Sequence, residues 1–384
     1  MTGGTPVFPR FTVPTQVITG VGCLRQLEGI IAEFGSPEVA VVADVALDDA
    51  GVLGRVIGDA MTWRVAGLSL IQADPGVEVV EQAVDDARAA GATCVLAVGG
   101  GSALGVGKAV GIRLTNDQQI DAYEGRDRVT RRPAPTIAVP TTAGSGSEVS
   151  NALVLHEKSR DNEIVVRGQG CEPRVAVLDA TVLRTLPRQP LVYSALDALS
   201  HAMEALWARG ASYFTTSVAI TAARSIIDRL PTAAAGADGG LNASGANDAA
   251  LQELLEASSA ANMACGNSAL ALVHALSSSP AVRVPHGLQN AVLLPHVARF
   301  NESYLGVEAA ALLPRIDALY AELSLVPSFE SIGYGAVDGR RMIEASLHNP
   351  FRSNNRRAPS DEDLAGILLR AGATFTSRRS DDRR

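Results

Sequence analysis

Asp197 and His201 stand four residues apart in the segment SALDALSHAMEAL. Two further histidines follow: His274 ends the apolar stretch LALVH, and His286 comes after Pro285 in VPHGLQN. Leu196, Leu199, Met203 and Leu206 recur at helical spacing around the first pair. Side chains at i and i+4 share a helix face, so the Asp197 carboxylate and the His201 imidazole can point at one atom. One carboxylate with three imidazoles is a borderline-hard donor set that suits Fe(II) or Zn(II). Spacing alone fits a blander arrangement equally well, a salt-bridged helix pair with two core histidines.

A second chemistry is written upstream. GGGSALGVGKAVG follows the apolar run TCVLAV, so Gly99, Gly100, Gly101 and Ser102 fall between a strand end and a helix start. Such a loop lets a pyrophosphate approach backbone N–H groups and the positive helix terminus. It is not a P-loop, because Ser102 occupies the first glycine position and Ala109 follows Lys108. Nor is it GxGxxG, since Gly105, Gly107 and Gly111 are one residue out of register. PTTAGSGSE (140–148) follows another apolar run and adds the hydroxyls of Thr141, Thr142, Ser145 and Ser147. Asp44 ends EVAVVAD, where a carboxylate either accepts hydrogen bonds from a ribose diol, favouring NAD(H) over NADP(H), or is a simple turn residue.

The elements that must position these groups divide the chain. At 384 residues it exceeds one typical core, and 47% hydrophobic against 19% charged residues excludes a disordered chain. EVAVVAD (38–44), TCVLAVGG (93–100), TIAVPTT (136–142) and RVAVLDA (174–180) read as buried parallel strands. A helix between the first two places Val80, Ala83, Val84 and Ala87 on one face. The pattern predicts an α/β domain over residues 1–187 with a doubly wound, mostly parallel sheet. From 188 the spacing turns helical, over 191–207, 212–230, 248–264, 268–277, 287–298 and 308–323, with a Gly/Ala/Asn-rich loop at 233–248. An all-helical domain is expected over 188–371, followed by a flexible tail at 372–384.

A net charge of −8 and 4% aromatics exclude a nucleic-acid partner. Four scattered cysteines form no paired motif, and neither a signal sequence nor an apolar run of spanning length is present. A soluble cytoplasmic protein with no membrane partner is the expectation.

GGGS…K, PTTAGSGSE, DAxxH and HGxxNAxLLPHV, in this order, resemble the iron-containing (group III) alcohol dehydrogenases, the family of lactaldehyde reductase and 1,3-propanediol dehydrogenase. The resemblance runs from about residue 11 to 301, and ASLHNPFRSNNRR is similar to the family's C-terminal segment. It implies a dehydroquinate synthase-like superfamily fold, a nucleotide domain and a helical metal domain with the active site between them. It implies Asp197, His201, His274 and His286 as ligands of Fe(II) or Zn(II). Gly99, Gly100, Gly101, Ser102, Thr141, Thr142, Ser145 and Ser147 would line NAD(H), with Asp44 and Asp74 on the adenosine side. The implied function is hydride transfer between nicotinamide and a small aldehyde or alcohol, in a homodimer. Lys108 is a further catalytic candidate, and Phe351 a candidate for the substrate pocket.

Three departures stand out from the family pattern. Ser278 occupies the place of a second, non-ligand histidine beside the nicotinamide, which makes Ser278 or a water the candidate proton relay. Gly105 replaces an aspartate, and Asp74-Pro75 replaces the usual Asn-Pro. These changes point to a specialised substrate, such as a bulkier or anionic aldehyde. Maleylacetate- or phosphonoacetaldehyde-type reduction, a dehydroquinate-synthase-like lyase and a degraded nucleotide-binding homologue are the alternatives. Glu204, three residues past His201, could orient the ligands from behind, but exposed helix charge is the commoner situation. His156 is expected in a solvated polar turn, and His296 and His348 are read as structural.

Overall fold

The computed structural model describes residues 9–35, 38–58, 63–157, 162–238, 245–279, 282, 284–333 and 337–375. The strands are β1 (Gln16–Thr19), β2 (Glu38–Asp44), β3 (Arg64–Ile71), β4 (Cys94–Gly99), β5 (Gly125–Arg126), β6 (Thr136–Pro140), β7 (Ala152–Glu157), β8 (Asn162–Arg167) and β9 (Val175–Leu178). Six of them form a parallel sheet in the order β1-β9-β6-β4-β2-β3. The period of two assigns alternate residues to opposite faces. Val39, Val41 and Ala43 of β2 enter one hydrophobic cluster, and Ala40 and Val42 enter another.

The second cluster is closed by the helices Val77–Ala89 and Gly101–Thr115. Val80, Ala83, Val84 and Ala87 are the buried face of the first, as their spacing predicts. The other cluster runs without a break from the sheet into the helical half, so the two halves share one core. Helix Arg188–Trp207 lies at its centre, with every residue from Ala195 to Trp207 buried. Helices Tyr213–Asp238, Gly245–Ser268, Leu272–Ser277 and His286–Asn301 pack around it. It is therefore enclosed on all sides rather than amphipathic.

Several expectations need correction. β1, β3 and a small second sheet, ordered β5-β8-β7, escape the sequence reading. β1 is short, and β3 is half exposed as an edge strand. His156 is not in a turn: it lies in β7 opposite Glu163 of β8, and its backbone N–H donates to Pro75 O at 3.0 Å. Much of the expected loop at 233–248 is helix, up to Asp238 and again from Gly245, and the remainder lies outside the described residues. The segment 308–323 splits into Val307–Ala310 and Leu313–Glu322, with Pro314 in the first turn of the second. The start of the expected tail is fastened, because Thr374 N–H donates to Val337 O at 2.8 Å and Ala373 is buried. Residues 376–384 lie outside the described set.

Near the C-terminus, the segment 354–356 joins several helix ends. Asn354 Nδ2 donates to Ser268 O at 3.0 Å and to Leu270 O at 2.8 Å. Asn355 and Asn301 exchange side-chain hydrogen bonds, and Arg356 N–H donates to Trp207 O at 3.0 Å. Carbonyls orphaned at helix C-termini thereby find donors.

Candidate active site

In the strand order, the chain leaves β2 outward to β3 and returns to β4 on the other side, so the C-terminal ends of β2 and β4 form a topological switch point, where open α/β sheets bind ligands. Asp44 and Gly99 meet there. Gly99 has φ +150°, and a Cβ on it would lie 3.1 Å from that of Asp44 and 2.7 Å from that of Ala103. Asp44 caps the following helix, its Oδ1 accepting from Ala46 N–H at 3.0 Å. The turn reading is thus realised, and the ribose reading is left to the second carboxylate oxygen.

The two loops lie against each other. Thr141 N–H donates to Gly99 O at 3.1 Å, and side chains at Gly100 and Gly101 would touch Thr142 and Ser145. Helix Gly101–Thr115 starts here, with Ser102 in its first turn. Ser102 Oγ accepts from Asp74 N–H at 3.4 Å, which brings Asp74 to the same edge, its φ at +57°. The second loop is held from the helical half. Gly146 (φ +60°) leaves no room for a side chain against Asn262, whose Nδ2 donates to Ser145 O at 2.9 Å. Ser147 N–H donates to Ser145 Oγ at 3.3 Å, and buried Glu148 accepts from Ser259 Oγ at 2.5 Å.

On the helical side Asp197, His274 and His286 come together, their ligand atoms all within 4.8 Å of one another. His274 Nε2 is 3.6 Å and His286 Nε2 3.9 Å from Asp197 Oδ1. His201 Nε2 is also 3.9 Å from that oxygen, although its ring stacks on His274 with centroids 4.7 Å apart. A tetrahedral cation with ligands at about 2.0–2.2 Å separates them by roughly 3.3–3.6 Å, so the spacing is slightly open but of the right size. The buried His201 Nδ1, the ring nitrogen not directed at Asp197, has no hydrogen-bond partner among the described residues. One carboxylate and three imidazoles fit Fe(II) or Zn(II).

Glu204 corrects the expectation of exposed helix charge. It is fully buried: Oε1 accepts from Val273 N–H at 2.5 Å, and Oε2 lies 2.6 Å from His274 Nδ1. The contact lets His274 Nδ1 donate to Glu204 and turns its Nε2 toward Asp197. Burial disfavours the His274 cation, but Glu204 and Asp197 outweigh it and raise the ring to about 9. Burial instead pulls His201 down to about 4 against the attraction of Asp197. Burial also works against the charged Asp197, yet His201 and then His274 hold it well below the usual carboxylate range. Asn290, fully buried in the first turns of helix His286–Asn301, was not singled out from the sequence, and its Nδ2 donates to Asp197 Oδ1 at 2.6 Å. The i, i+4 spacing that pairs Asp197 with His201 also relates His286 to Asn290, so the signal was present.

Ser102 of the glycine loop and His286 of the His cluster line one cavity of ≈790 Å³, together with Asp74, His156, Ser278 and Gln289 among others. Ser278 faces it, with Oγ donating to His274 O at 2.6 Å. Two candidates lie elsewhere. Lys108 is buried, and its three protons go to Ser147 O, Ser150 O and Ala152 O at 3.0, 3.3 and 2.5 Å, which ties down the second loop and leaves none for substrate. Phe351 packs against the main core from helix Pro350–Asn354 and does not line this cavity. His156 Nδ1 is 3.8 Å from Asp74 Oδ2 at the cavity wall, not in solvent. His296 Nε2 lies 2.8 Å from Pro327 O, and His348 is on the surface.

Comparison with known proteins agrees with this architecture. The sequence model of the family "Iron-containing alcohol dehydrogenase" matches residues 14–180, and that of "Fe-containing alcohol dehydrogenase family, C-terminal" matches 191–372. The chain is 31% identical to the "Probable alcohol dehydrogenase EutG" of Escherichia coli K12, covering 94% of each chain. It is 28% identical to the NAD-dependent methanol dehydrogenase of Bacillus methanolicus, over 94% of this chain and 99% of that one. Among solved structures, sulfoacetaldehyde reductase from Bifidobacterium kashiwanohense, in complex with NAD+, superposes with a TM-score of 0.85 at 25% identity, over 96% of this chain and 100% of that one. The chain belongs to the iron-containing alcohol dehydrogenase family and is an oxidoreductase acting on CH–OH donors.

Proposed function

We propose that this enzyme is a metal-dependent, NAD(H)-linked alcohol dehydrogenase or aldehyde reductase for small carbonyl and alcohol substrates. Asp197, His201, His274 and His286 hold Fe(II) or Zn(II) in this reading, and the loops at 99–102 and 141–147 bind the dinucleotide. The observation that carries it is the shared cavity, which Ser102 and Asp74 line together with His286 and Ser278. When bound, the cation acts as a Lewis acid that stabilises negative charge on the carbonyl or alkoxide oxygen during hydride transfer.

The chain's own residues supply orientation. Glu204 orients the His274 ring, and backbone N–H groups at the start of helix Gly101–Thr115 face the pyrophosphate. Asp44 at the end of β2 supports NAD(H) over NADP(H), because its carboxylate would repel a 2′-phosphate. Two relatives point the same way by name, one an NAD-dependent methanol dehydrogenase and the other crystallised with NAD+. Ser278 relays a proton only if its hydroxyl leaves the His274 carbonyl, a hydrogen bond of the common i to i−4 type. An anionic aldehyde is the second reading, supported by the likeness to sulfoacetaldehyde reductase. A cytoplasmic homodimer goes with this proposal, and sedimentation would test the dimer.

Metal analysis of the purified protein, followed by NADH oxidation against a panel of neutral and anionic aldehydes with and without Fe(II) or Zn(II), tests the reading. Metal-dependent turnover of at least one aldehyde is expected. Metal-loaded protein inert toward every carbonyl would overturn it.

A further inference from the structure

Lys108 is a base only 2% exposed. Its ammonium is satisfied by three carbonyl oxygens, those of Ser147 at 3.0 Å, Ser150 at 3.3 Å and Ala152 at 2.5 Å. These oxygens run from the end of the second loop into β7, whereas Lys108 belongs to the helix that begins in the glycine loop. One amine therefore fastens the two loops to each other. The link continues toward the candidate pyrophosphate position. Ser147 N–H donates to Ser145 Oγ at 3.3 Å, and a Cβ at Gly101 would lie 3.1 Å from that oxygen.

Three acceptors match the three protons of an ammonium, whereas a neutral amine has two and turns a lone pair toward the third oxygen. We propose that Lys108 is a positioning residue for the dinucleotide, and that the loop 141–147 keeps its binding shape only while this amine is protonated. The inference rests on the reading of that loop as part of the NAD(H) site and deepens it. The surroundings loosen the proton at alkaline pH. Burial brings Lys108 down to about 8 from an ordinary 10.5, against the attraction of Glu148, Cys171 and Glu172. Glu148 is itself buried, which raises its carboxyl against the hydrogen bond from Ser259, and burial pushes the Cys171 thiol up to about 11. Arg132 and Arg174 line a cavity of ≈40 Å³ beside Lys108, with room for a water to carry the proton. On the same helix, Gly105 one turn earlier has no side chain, and Arg113 is engaged by Glu81. The folded protein releases this proton before the unfolded chain does, so between pH 8 and 10.5 the group favours the folded state as pH rises. Through Lys108, weaker cofactor binding in that window reflects the loop and not unfolding.

NADH fluorescence titrations from about pH 7 to about pH 9.5 on wild type, Lys108→Met and Lys108→Arg test the role, since Met keeps the length without the charge and Arg keeps the charge throughout. The wild-type Kd is expected to rise about tenfold across the range, the factor for the loss of roughly one hydrogen bond to a charged group. Lys108→Met should bind about tenfold more weakly at neutral pH with no further alkaline loss, and a folded Arg variant should lose the alkaline decline. KM for NADH should follow these changes while kcat at saturating NADH holds. A flat wild-type profile would overturn the proposal whatever the fate of the variants. So would Lys108→Met with the wild-type Kd at neutral pH, or either variant retaining the alkaline decline. Wild-type protein that binds no NADH at any pH would instead overturn the reading of the loop as a cofactor site.

Discussion

Glu204 exerts three constraints from one buried position: on the backbone at Val273, on the backbone at His274 and on the His274 ring. Glu204→Gln keeps the volume but removes the charge and one acceptor. We expect metal affinity to fall about 10–100-fold, as for other carboxylates behind a ligating histidine. Stability should fall by about 1–3 kcal/mol from groups left unsatisfied, read by metal titration and urea unfolding. Wild-type affinity in a folded Gln variant would remove Glu204 from this role. Comparing pH–rate profiles of wild type and Ser278→Ala settles the relay: a Ser278 relay predicts a lower rate in the variant, and superimposable profiles would dismiss it. That Asp197 and His201 face one another was legible because i, i+4 spacing is a property of the helix itself, whereas no spacing in the sequence relates His274 and His286 to that helix. The burial of Glu204 was not legible, because the leucine spacing suggests one apolar face, whereas every residue of this helix from Ala195 to Trp207 is buried. Whether a carboxylate in such a helix is exposed depends on neighbours far away in sequence.

At the scale of elements, the loop 140–148 is where the sheet meets the helices, pinned by Lys108 from one side and by Asn262 and Ser259 from the other. Gly146→Ala forces a left-handed backbone on alanine and pushes it into Asn262. A stability loss of about 1–3 kcal/mol is expected, together with a raised KM for NADH and unchanged metal content. An unchanged KM would separate this loop from the cofactor. Asp44→Ala should cost about 0.5–2 kcal/mol through the lost cap. It should also shift kcat/KM toward NADPH, whereas a shift in stability alone would leave Asp44 a turn residue. The four strands read from apolar runs are those buried on both faces. The ones missed, β1, β3, β5 and the β7–β8 pair, are short or half exposed, and their pairing is decided by tertiary context.

For the molecule as a whole, one hydrophobic cluster spans the sheet and the helical half, and each half carries one of the two tryptophans, Trp63 and Trp207, both buried. Chains of this size often unfold domain by domain. The shared core predicts instead that single-tryptophan variants, Trp63→Phe and Trp207→Phe, report coincident urea transitions. Separated midpoints would show that the halves unfold independently. NADH at a hundred times its Kd should raise stability by about 2.7 kcal/mol, and both variants should report the same increment.

The asparagine clasp at 354–356 gives the molecule a calendar. Ribosomes deliver the chain from the N-terminus, so all four candidate ligand residues emerge while the segment that joins the ends of helices Arg188–Trp207 and His286–Asn301 is still unmade. The nascent cluster can assemble and come apart until that last stitch arrives. Any cation those residues take up before then meets helix ends not yet tied by the C-terminal segment.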